Sequence, residues 1–155
     1  MVRLLQDGVN NVAKGKKEKA VIFDLDGTLA NPHKHKQKHK HHDPKWAEEA
    51  RTAPAIRKNV KKLRKQEKKG EDIVIMTARS ADYKKETKEW LKHHDIKPKE
   101  LIMRPKNTEN VSDKKIKKKL LEKKIMPKYE VKKAYDDRSK NIKMFKKKGI
   151  KAKKV

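Results

Sequence analysis

The sequence contains no cysteine among its 155 residues. This absence excludes disulfide bonds, thiolate nucleophiles and cysteine-ligated zinc sites. Long apolar runs are also missing: no stretch approaches the roughly 18 apolar residues of a membrane span, and residues 1–19 lack the apolar core of a signal peptide. We therefore expect a cytoplasmic protein with no membrane partner, located in the host cytoplasm if it is viral.

Acidic residues are scarce beside basic ones. There are 47 lysines and arginines, of which seven are arginine, against 21 acidic residues, and the net charge is +26. Such a field attracts polyanions, which means nucleic acid or an anionic membrane surface. Lysine suits contact with backbone phosphates better than base recognition. The charge predicts a nucleic acid partner; the alternative is a solvated, lysine-rich surface that keeps the protein soluble.

Apolar residues make up only 33% of the chain, but they are concentrated in short runs. Disordered chains rarely contain such runs, so we expect one compact domain with a small core. Residues 1–19 are predicted to form a basic polar arm whose protein partner is unknown. Residues 20–155 form the domain, within which residues 31–53 are a flap rich in histidine and lysine.

Short apolar runs alternate with longer helical patterns along the domain. This alternation predicts an α/β fold with a mostly parallel central sheet and helices on both faces, giving three layers. We predict strands at 20–23, 73–76, 101–103, 131–135 and 150–155, and helices at 54–69, 82–94 and 113–125, with a last helix that ends at Gly149.

Unusual polar residues stand at the ends of three of these strands. In a parallel sheet, ligands bind beyond the carboxyl ends of the strands, so these side chains are expected to meet at one edge. They are Asp24 and Asp26 after the first strand, Thr77 and Arg79 after the second, and Asp136 and Asp137 after the fourth.

The residue types at this edge suit phosphoryl transfer. Strand alternation points Asp24 and Asp26 to the same side, where the two carboxylates repel each other unless a cation is present. An oxygen-only site of this kind suits Mg²⁺. One carboxylate can attack phosphorus and another can transfer protons. A hydroxyl, an arginine and a lysine can stabilise the transferring group.

Three motifs in this order resemble those of a known superfamily. Residues 21–29 resemble the first motif of the haloacid-dehalogenase-like phosphohydrolases, residues 75–79 the second, and residues 135–138 the fourth. The run from Leu101 to Gly149 is most similar to the 3′-phosphatase domain of bacteriophage-type polynucleotide kinase. The resemblance implies a Rossmann-like three-layer fold in which a minimal flap replaces the cap domain.

The resemblance also implies roles for the acidic residues. Asp24 matches the nucleophile, which also binds Mg²⁺. Asp26 matches the general acid and base, and its backbone carbonyl would be a Mg²⁺ ligand. Asp136 and Asp137 match the acidic pair beside the metal.

Roles for the remaining site residues follow in the same way. Thr77 matches the hydroxyl that holds phosphoryl oxygens, and Arg79 matches an arginine of the polynucleotide phosphatase branch. The third motif is a lysine in a lysine-rich stretch. Lys117 is the first choice, and Lys115 and Lys118 are the alternatives.

The flap leaves two questions open. It contains His33, His35, His39, His41 and His42, which we interpret as a polar segment; the alternative is a metal site. Trp46 is interpreted as an anchor that holds the flap to the core, although it could stack on a base. Trp90 and Phe145 are predicted to lie in the core.

The residues and the resemblance together predict a Mg²⁺-dependent phosphatase. It would act through an aspartyl-phosphate and remove the 3′-phosphate from nucleic acid ends, with lysines holding the backbone. One alternative is a nucleotidase or other small-molecule phosphatase with the same fold. The other is a basic nucleic-acid-binding or virion-associated structural protein with a vestigial site.

Overall fold

The computed structural model of the chain describes residues 17–32 and 44–155. Most of the predicted basic arm and all five histidines of the flap lie outside these ranges. The predictions made for them therefore stay predictions.

The described residues form one sheet of five parallel strands with helices on both faces, in the strand order β3-β2-β1-β4-β5. No helix in these ranges is long and apolar enough to cross a membrane. In chain order the elements are β1 (Glu18–Phe23), α1 (Pro44–Thr52), α2 (Arg57–Lys68), β2 (Asp72–Ser80), α3 (Lys84–His93), β3 (Glu100–Arg104), α4 (Asp113–Leu120), β4 (Tyr129–Asp136), α5 (Ser139–Lys147) and β5 (Ala152–Lys154).

The core is divided between the two faces of the sheet. One cluster packs α4 and α5 onto the sheet and includes Phe145, which is buried as predicted. The other packs α2 and α3 onto the opposite face and includes Trp90, which is fully buried as predicted. The indole nitrogen of Trp90 donates a hydrogen bond to the carbonyl of Ala53, at 2.6 Å, so this side chain also holds the segment after α1.

The elements follow the predicted order but differ at their ends. The strand β1 begins at Glu18, before the predicted domain boundary at residue 20, because its pairing with Tyr129 of β4 extends that far. The helix α4 ends earlier than predicted, and residues 121–125 continue as a π-helical turn. Ser112 caps α4, since its hydroxyl accepts a hydrogen bond from the backbone N–H of Lys115.

A short helix lies within the segment predicted as a flap. Helix α1 packs against α3, and Trp46 contacts Ala50 and Tyr83 there. Trp46 is only 8% exposed, so the predicted anchoring role is confirmed. The part of the flap that the structure describes is therefore an ordered layer of the fold beside the carboxyl edge of the sheet.

Candidate active site

A pocket of about 220 Å³ opens at the carboxyl edge of the sheet. Strand pairing explains its position, because Phe23 in β1 lies between Ile75 of β2 and Tyr135 of β4. Asp24, Asp136 and, two positions after Ile75, Thr77 therefore emerge side by side at this edge. Every residue that we predicted for the site lies in or beside this pocket: Asp24, Asp26, Thr77, Arg79, Lys117, Asp136 and Asp137.

A buried lysine links two of the carboxylates. The Nζ of Lys117 lies 2.7 Å from Oδ1 of Asp24 and 2.6 Å from Oδ2 of Asp136. Lys117 projects from α4, whose inner face it shares with Ile116, whereas Lys115 and Lys118 are exposed. Of the three lysines considered from the sequence, the structure thus brings Lys117 alone to the carboxylates.

Burial and charge act in opposite directions on this group. The pKa of Asp24 is raised to about 8, mainly because burial disfavours its charged form; the attraction of Lys117 opposes this increase, and repulsion by Asp136 adds to it. Burial also disfavours a charged Lys117, but Asp24 and Asp136 outweigh that effect and raise the pKa of Lys117 above its ordinary value. The lysine therefore stays protonated, and a bound cation would lower the pKa of Asp24.

Local hydrogen bonds fix the two carboxylates that contact the lysine. After β1 the chain turns sharply, and the Leu25 carbonyl accepts hydrogen bonds from the backbone N–H groups of three following residues. This turn brings the Thr28 hydroxyl to 3.0 Å from Oδ2 of Asp24. On the other strand, Asp136 accepts hydrogen bonds from the backbone N–H of Arg138 and from the side-chain amide of Asn141.

The acidic cluster fits a divalent cation. Carboxylate oxygens of Asp24, Asp136 and Asp137 lie within 4.8 Å of one another. The Oδ1 atom of Asp137 is buried and has no hydrogen-bond partner in the described part of the chain. A buried carboxylate oxygen without a partner is costly, and a hard cation with oxygen ligands such as Mg²⁺ would satisfy it. These three residues could therefore hold Mg²⁺.

Gly27 leaves the space that Asp137 occupies. Its φ angle is +87°, and an added Cβ would lie 2.2 Å from Oδ2 of Asp137. Only glycine combines that backbone conformation with so close an approach. The second glycine of interest, Gly70, has a similar φ of +82° but no heavy atom within 4 Å of an added Cβ.

We expect Gly27→Ala to weaken Mg²⁺ binding by about tenfold or more, because the new methyl group displaces the Asp137 carboxylate. The measurement is calorimetric titration with Mg²⁺. Gly70→Ala is the matched control, since it strains the backbone without touching the cluster. Equal Mg²⁺ affinity in the two variants would contradict this account of Gly27.

The second aspartate of the first motif is held by an arginine. Arg79 donates hydrogen bonds from Nε and Nη2 to the two oxygens of Asp26, at 2.9 and 2.7 Å. Its Nη1 donates to the carbonyl of Ala50 in α1 and to the hydroxyl of Thr87 in α3. The Arg79 side chain is completely buried, whereas that of Asp26 is 26% exposed and faces the pocket. In this arrangement Arg79 orients Asp26.

Arg79 also connects α1 to the site. Its guanidinium carbon lies 5.0 Å from the centroid of the Trp46 ring, a distance at which a cation–π contact forms. Thr77, two residues earlier in β2, is buried, and its hydroxyl accepts a hydrogen bond from the backbone N–H of Arg79. The stability of the described flap helix and the orientation of Asp26 therefore depend on the same side chain.

Several residues that shape the site were not among those predicted. Thr28 and Asn141 hold the carboxylates, and Thr87 holds Arg79. At the mouth of the pocket, Asp113 accepts hydrogen bonds from Arg104 and Arg138. Thr28 is part of the first motif, and a search of that motif for hydroxyl groups would have found it. No comparable pattern marks Thr87.

Comparison with known proteins identifies the family. Residues 18–155 match the family described as the polynucleotide kinase PNKP phosphatase domain. Among solved structures, a chain in the Pnkp1/Rnl/Hen1 complex is 27% identical, with a TM-score of 0.79, over 92% of this chain and 47% of that chain. A chain in the Pnkp1/Rnl/Hen1 RNA repair complex is also 27% identical, with a TM-score of 0.77, over 92% of this chain and 43% of that chain. The present chain spans less than half the length of both.

A more distant similarity concerns the fold alone. The class C acid phosphatase from Bacillus anthracis with tungstate bound is 16% identical, with a TM-score of 0.58, over 95% of this chain and 68% of that chain. No curated protein sequence matches this chain significantly. The match over residues 18–155, together with the fold and the acidic cluster, shows that the chain belongs to the PNKP phosphatase domain family of haloacid-dehalogenase-like phosphohydrolases.

Proposed function

We propose that this protein is a Mg²⁺-dependent phosphatase that removes the terminal 3′-phosphate from nucleic acid ends through an aspartyl-phosphate. The observation that carries the proposal is the position of Asp24, with Lys117 and Thr28 bound to its two oxygens and two further carboxylates beside it. Family membership supports the reaction class.

The proposed reaction has two steps. In the first, a carboxylate oxygen of Asp24 forms a bond to phosphorus while the bond from phosphorus to the substrate oxygen breaks. Asp26 donates a proton to the leaving oxygen. In the second step Asp26 takes a proton from water, whose oxygen attacks phosphorus and releases Asp24 as a carboxylate. Lys117 keeps its charge throughout and stabilises the negative charge on the transferring group.

Asp24, Asp136 and Asp137 are the residues that would hold Mg²⁺. When bound, the ion would neutralise negative charge on the phosphoryl oxygens and on the crowded carboxylates. The hydrogen bonds from Asn141 and from the backbone N–H of Arg138 keep Asp136 oriented toward the site. The Thr77 hydroxyl lies in the pocket wall, where the family resemblance assigns it to the phosphoryl group.

A nucleic acid end is the proposed substrate for two reasons. The net charge of +26 favours a polyanion over the phosphate ester of a small neutral alcohol. In addition, a structurally similar chain occurs in the Pnkp1/Rnl/Hen1 RNA repair complex. We propose a nucleic acid partner on this basis, and both DNA and RNA ends belong in the test.

The deciding experiment measures phosphate release from 3′-phosphorylated DNA and RNA oligonucleotides, with and without Mg²⁺. The 5′-phosphorylated oligonucleotides and 3′-phosphorylated mononucleotides are the controls. We expect release from 3′ ends that requires Mg²⁺. Release from mononucleotides alone would show that the substrate is a small molecule. Tight oligonucleotide binding without any phosphate release would indicate a binding protein.

A prediction about Arg79 accompanies this proposal. Arg79→Lys keeps the charge, but one ammonium group cannot bind both oxygens of Asp26 together with the Ala50 carbonyl and Thr87. We expect turnover to fall by about 10²-fold because Asp26 loses its orientation. Steady-state kinetics provide the measurement.

Arg51→Lys on the exposed side of α1 is the matched control, and we expect it to keep full turnover. Hydrogen exchange over α1 adds a structural readout, since loss of the contact to the Ala50 carbonyl should speed exchange there. Unchanged turnover of Arg79→Lys would show that Asp26 acts without this support.

A further inference from the structure

A second concave surface lies on the other side of the sheet from Lys117. It has a volume of about 240 Å³ and lies between α2 and the strands β4 and β5. Five lysines line it, together with Gln66 and Tyr135, and no acidic residue does. We call it the five-lysine groove after Lys62, Lys65, Lys69, Lys133 and Lys153.

The lysines of the groove lack acidic partners within the part of the chain that the structure describes. Other surface lysines have them, for example Lys99 with Glu18 and Lys148 with Glu122. Within residues 17–32 and 44–155, no ion pair involves any of the five groove lysines, and the ammonium of Lys133 instead lies 5.2 Å from the ring centroid of Tyr135. Like charges that share a small surface repel each other, so a bound anion would stabilise this arrangement.

The spacing of the groove lysines suits a row of phosphates. Lys62, Lys65 and Lys69 recur at intervals of three and four residues, so they lie on one side of the helix and its end and span about 10 Å. On the opposite wall, Lys153 of β5 pairs with Tyr135 of β4. Positive charge therefore lines both walls. A single phosphate would contact only part of this length, whereas a strand of nucleic acid presents a phosphate at each nucleotide.

The groove and the active site share the same strands. Tyr135 stacks on Phe23 with ring centroids 4.6 Å apart, and the next residues along the two strands are Asp136 and Asp24. Because side chains alternate along a strand, Tyr135 faces α2 while Asp136 faces Lys117. The groove and the pocket therefore lie on opposite faces of the sheet, next to each other at the carboxyl end of β4.

We propose that the five-lysine groove binds the backbone phosphates of the nucleic acid strand whose end enters the active site. This inference rests on the proposed function for the identity of that end. The binding itself requires no chemistry at Asp24. The groove would contribute affinity for long substrates and nothing for a mononucleotide.

The test compares two triple variants with the same change of charge. Lys65→Glu, Lys69→Glu and Lys153→Glu together alter the groove, whereas Lys119→Glu, Lys123→Glu and Lys147→Glu alter exposed lysines on the helical side of the other sheet face. The affinity for a single-stranded oligonucleotide with a 3′-hydroxyl end is measured over a range of salt concentrations. Hydrolysis of a 3′-phosphorylated oligonucleotide and of a 3′-phosphorylated mononucleotide is measured in parallel.

We expect the groove variant to bind the oligonucleotide at least about tenfold more weakly than the control triple, with a shallower salt dependence. Its KM for the oligonucleotide should rise, while hydrolysis of the mononucleotide stays unchanged. A triple with glutamine in place of glutamate at the groove positions should show a smaller loss in the same direction, and thermal unfolding checks that each variant is folded.

Two results would overturn the proposal: an equal loss of affinity in both glutamate triples, which would mean diffuse attraction, or full affinity in the groove variant. The 3′-hydroxyl oligonucleotide separates this inference from the proposed function. If the wild-type protein releases no phosphate from any 3′ end, the proposed function fails. A selective loss of binding in the groove variant would still establish the groove.

Discussion

Asp24→Asn is expected to abolish phosphate release, with a fall in turnover of at least about 10³-fold. Asparagine has nearly the same shape, and its side chain can still contact Thr28 and Lys117. It lacks the negative oxygen that would form the bond to phosphorus. Single-turnover kinetics with a 3′-phosphorylated oligonucleotide provide the measurement, because they detect even one cycle of chemistry.

Asp82→Asn is the matched control for this change. Asp82 lies outside the pocket, in the short turn between β2 and α3, where its carboxylate contacts Ser80. We expect full turnover from that variant. If Asp24→Asn retained substantial turnover, Asp24 would not be the nucleophile, and the remaining carboxylates would have to activate water directly.

Lys117→Met is expected to lower the free energy of unfolding by about 3–5 kcal/mol in buffer without divalent cations. Methionine fills a similar volume but leaves the buried carboxylates of Asp24 and Asp136 without the charge that both contact. Uncompensated buried charges are among the most damaging changes in a folded protein. Urea unfolding measures the loss.

The same experiment in the presence of Mg²⁺ gives a second outcome. We expect Mg²⁺ to restore part of the lost stability, because the ion supplies positive charge to the same carboxylates. Lys118→Met, on the exposed side of α4, should change the free energy of unfolding by less than about 0.5 kcal/mol. A loss of similar size in the two variants would mean that the buried ion pairs contribute little.

The sheet and the acidic edge could be predicted because their signals are local. The apolar runs at 20–23 and 73–76 are strands buried on both faces, and polar residues after the strands of a parallel sheet emerge at the same edge. Asp24 and Asp136 are found in this way without any knowledge of their contacts. The predicted strand at 131–135 contains two lysines and is nevertheless confirmed as β4, because its backbone pairs with β1 on one side and with β5 on the other.

Lys117 could have been distinguished from its neighbours by helical period. Ile116 and Leu120 are four residues apart and lie in the core, so the inner face of α4 passes beside position 117 and away from Lys115 and Lys118. In a lysine-rich stretch the apolar residues therefore carry more information about which lysine faces the carboxylates than the lysines themselves.

The surroundings of Arg79 could not be predicted in the same way. One of its partners is the backbone carbonyl of Ala50, and every residue has such a carbonyl. The helix that presents it, α1, has nine residues and is bordered by a charged segment, so its apolar pattern is short. Its position depends on packing against α3, which is specified by tertiary contacts rather than by local sequence.

The order of strands in the sheet has a consequence for how the chain folds. The central strand β1 pairs with β2 on one side and with β4 on the other, and β4 begins at Tyr129. During synthesis the second edge of β1 therefore stays unpaired until the residues of β4, which follow it by about a hundred positions, have left the ribosome. Exposed strand edges promote aggregation, and long-range pairing is slow. The net charge of +26 opposes association between such nascent chains, so we expect the lysine-rich surface to reduce aggregation while β4 is still being made.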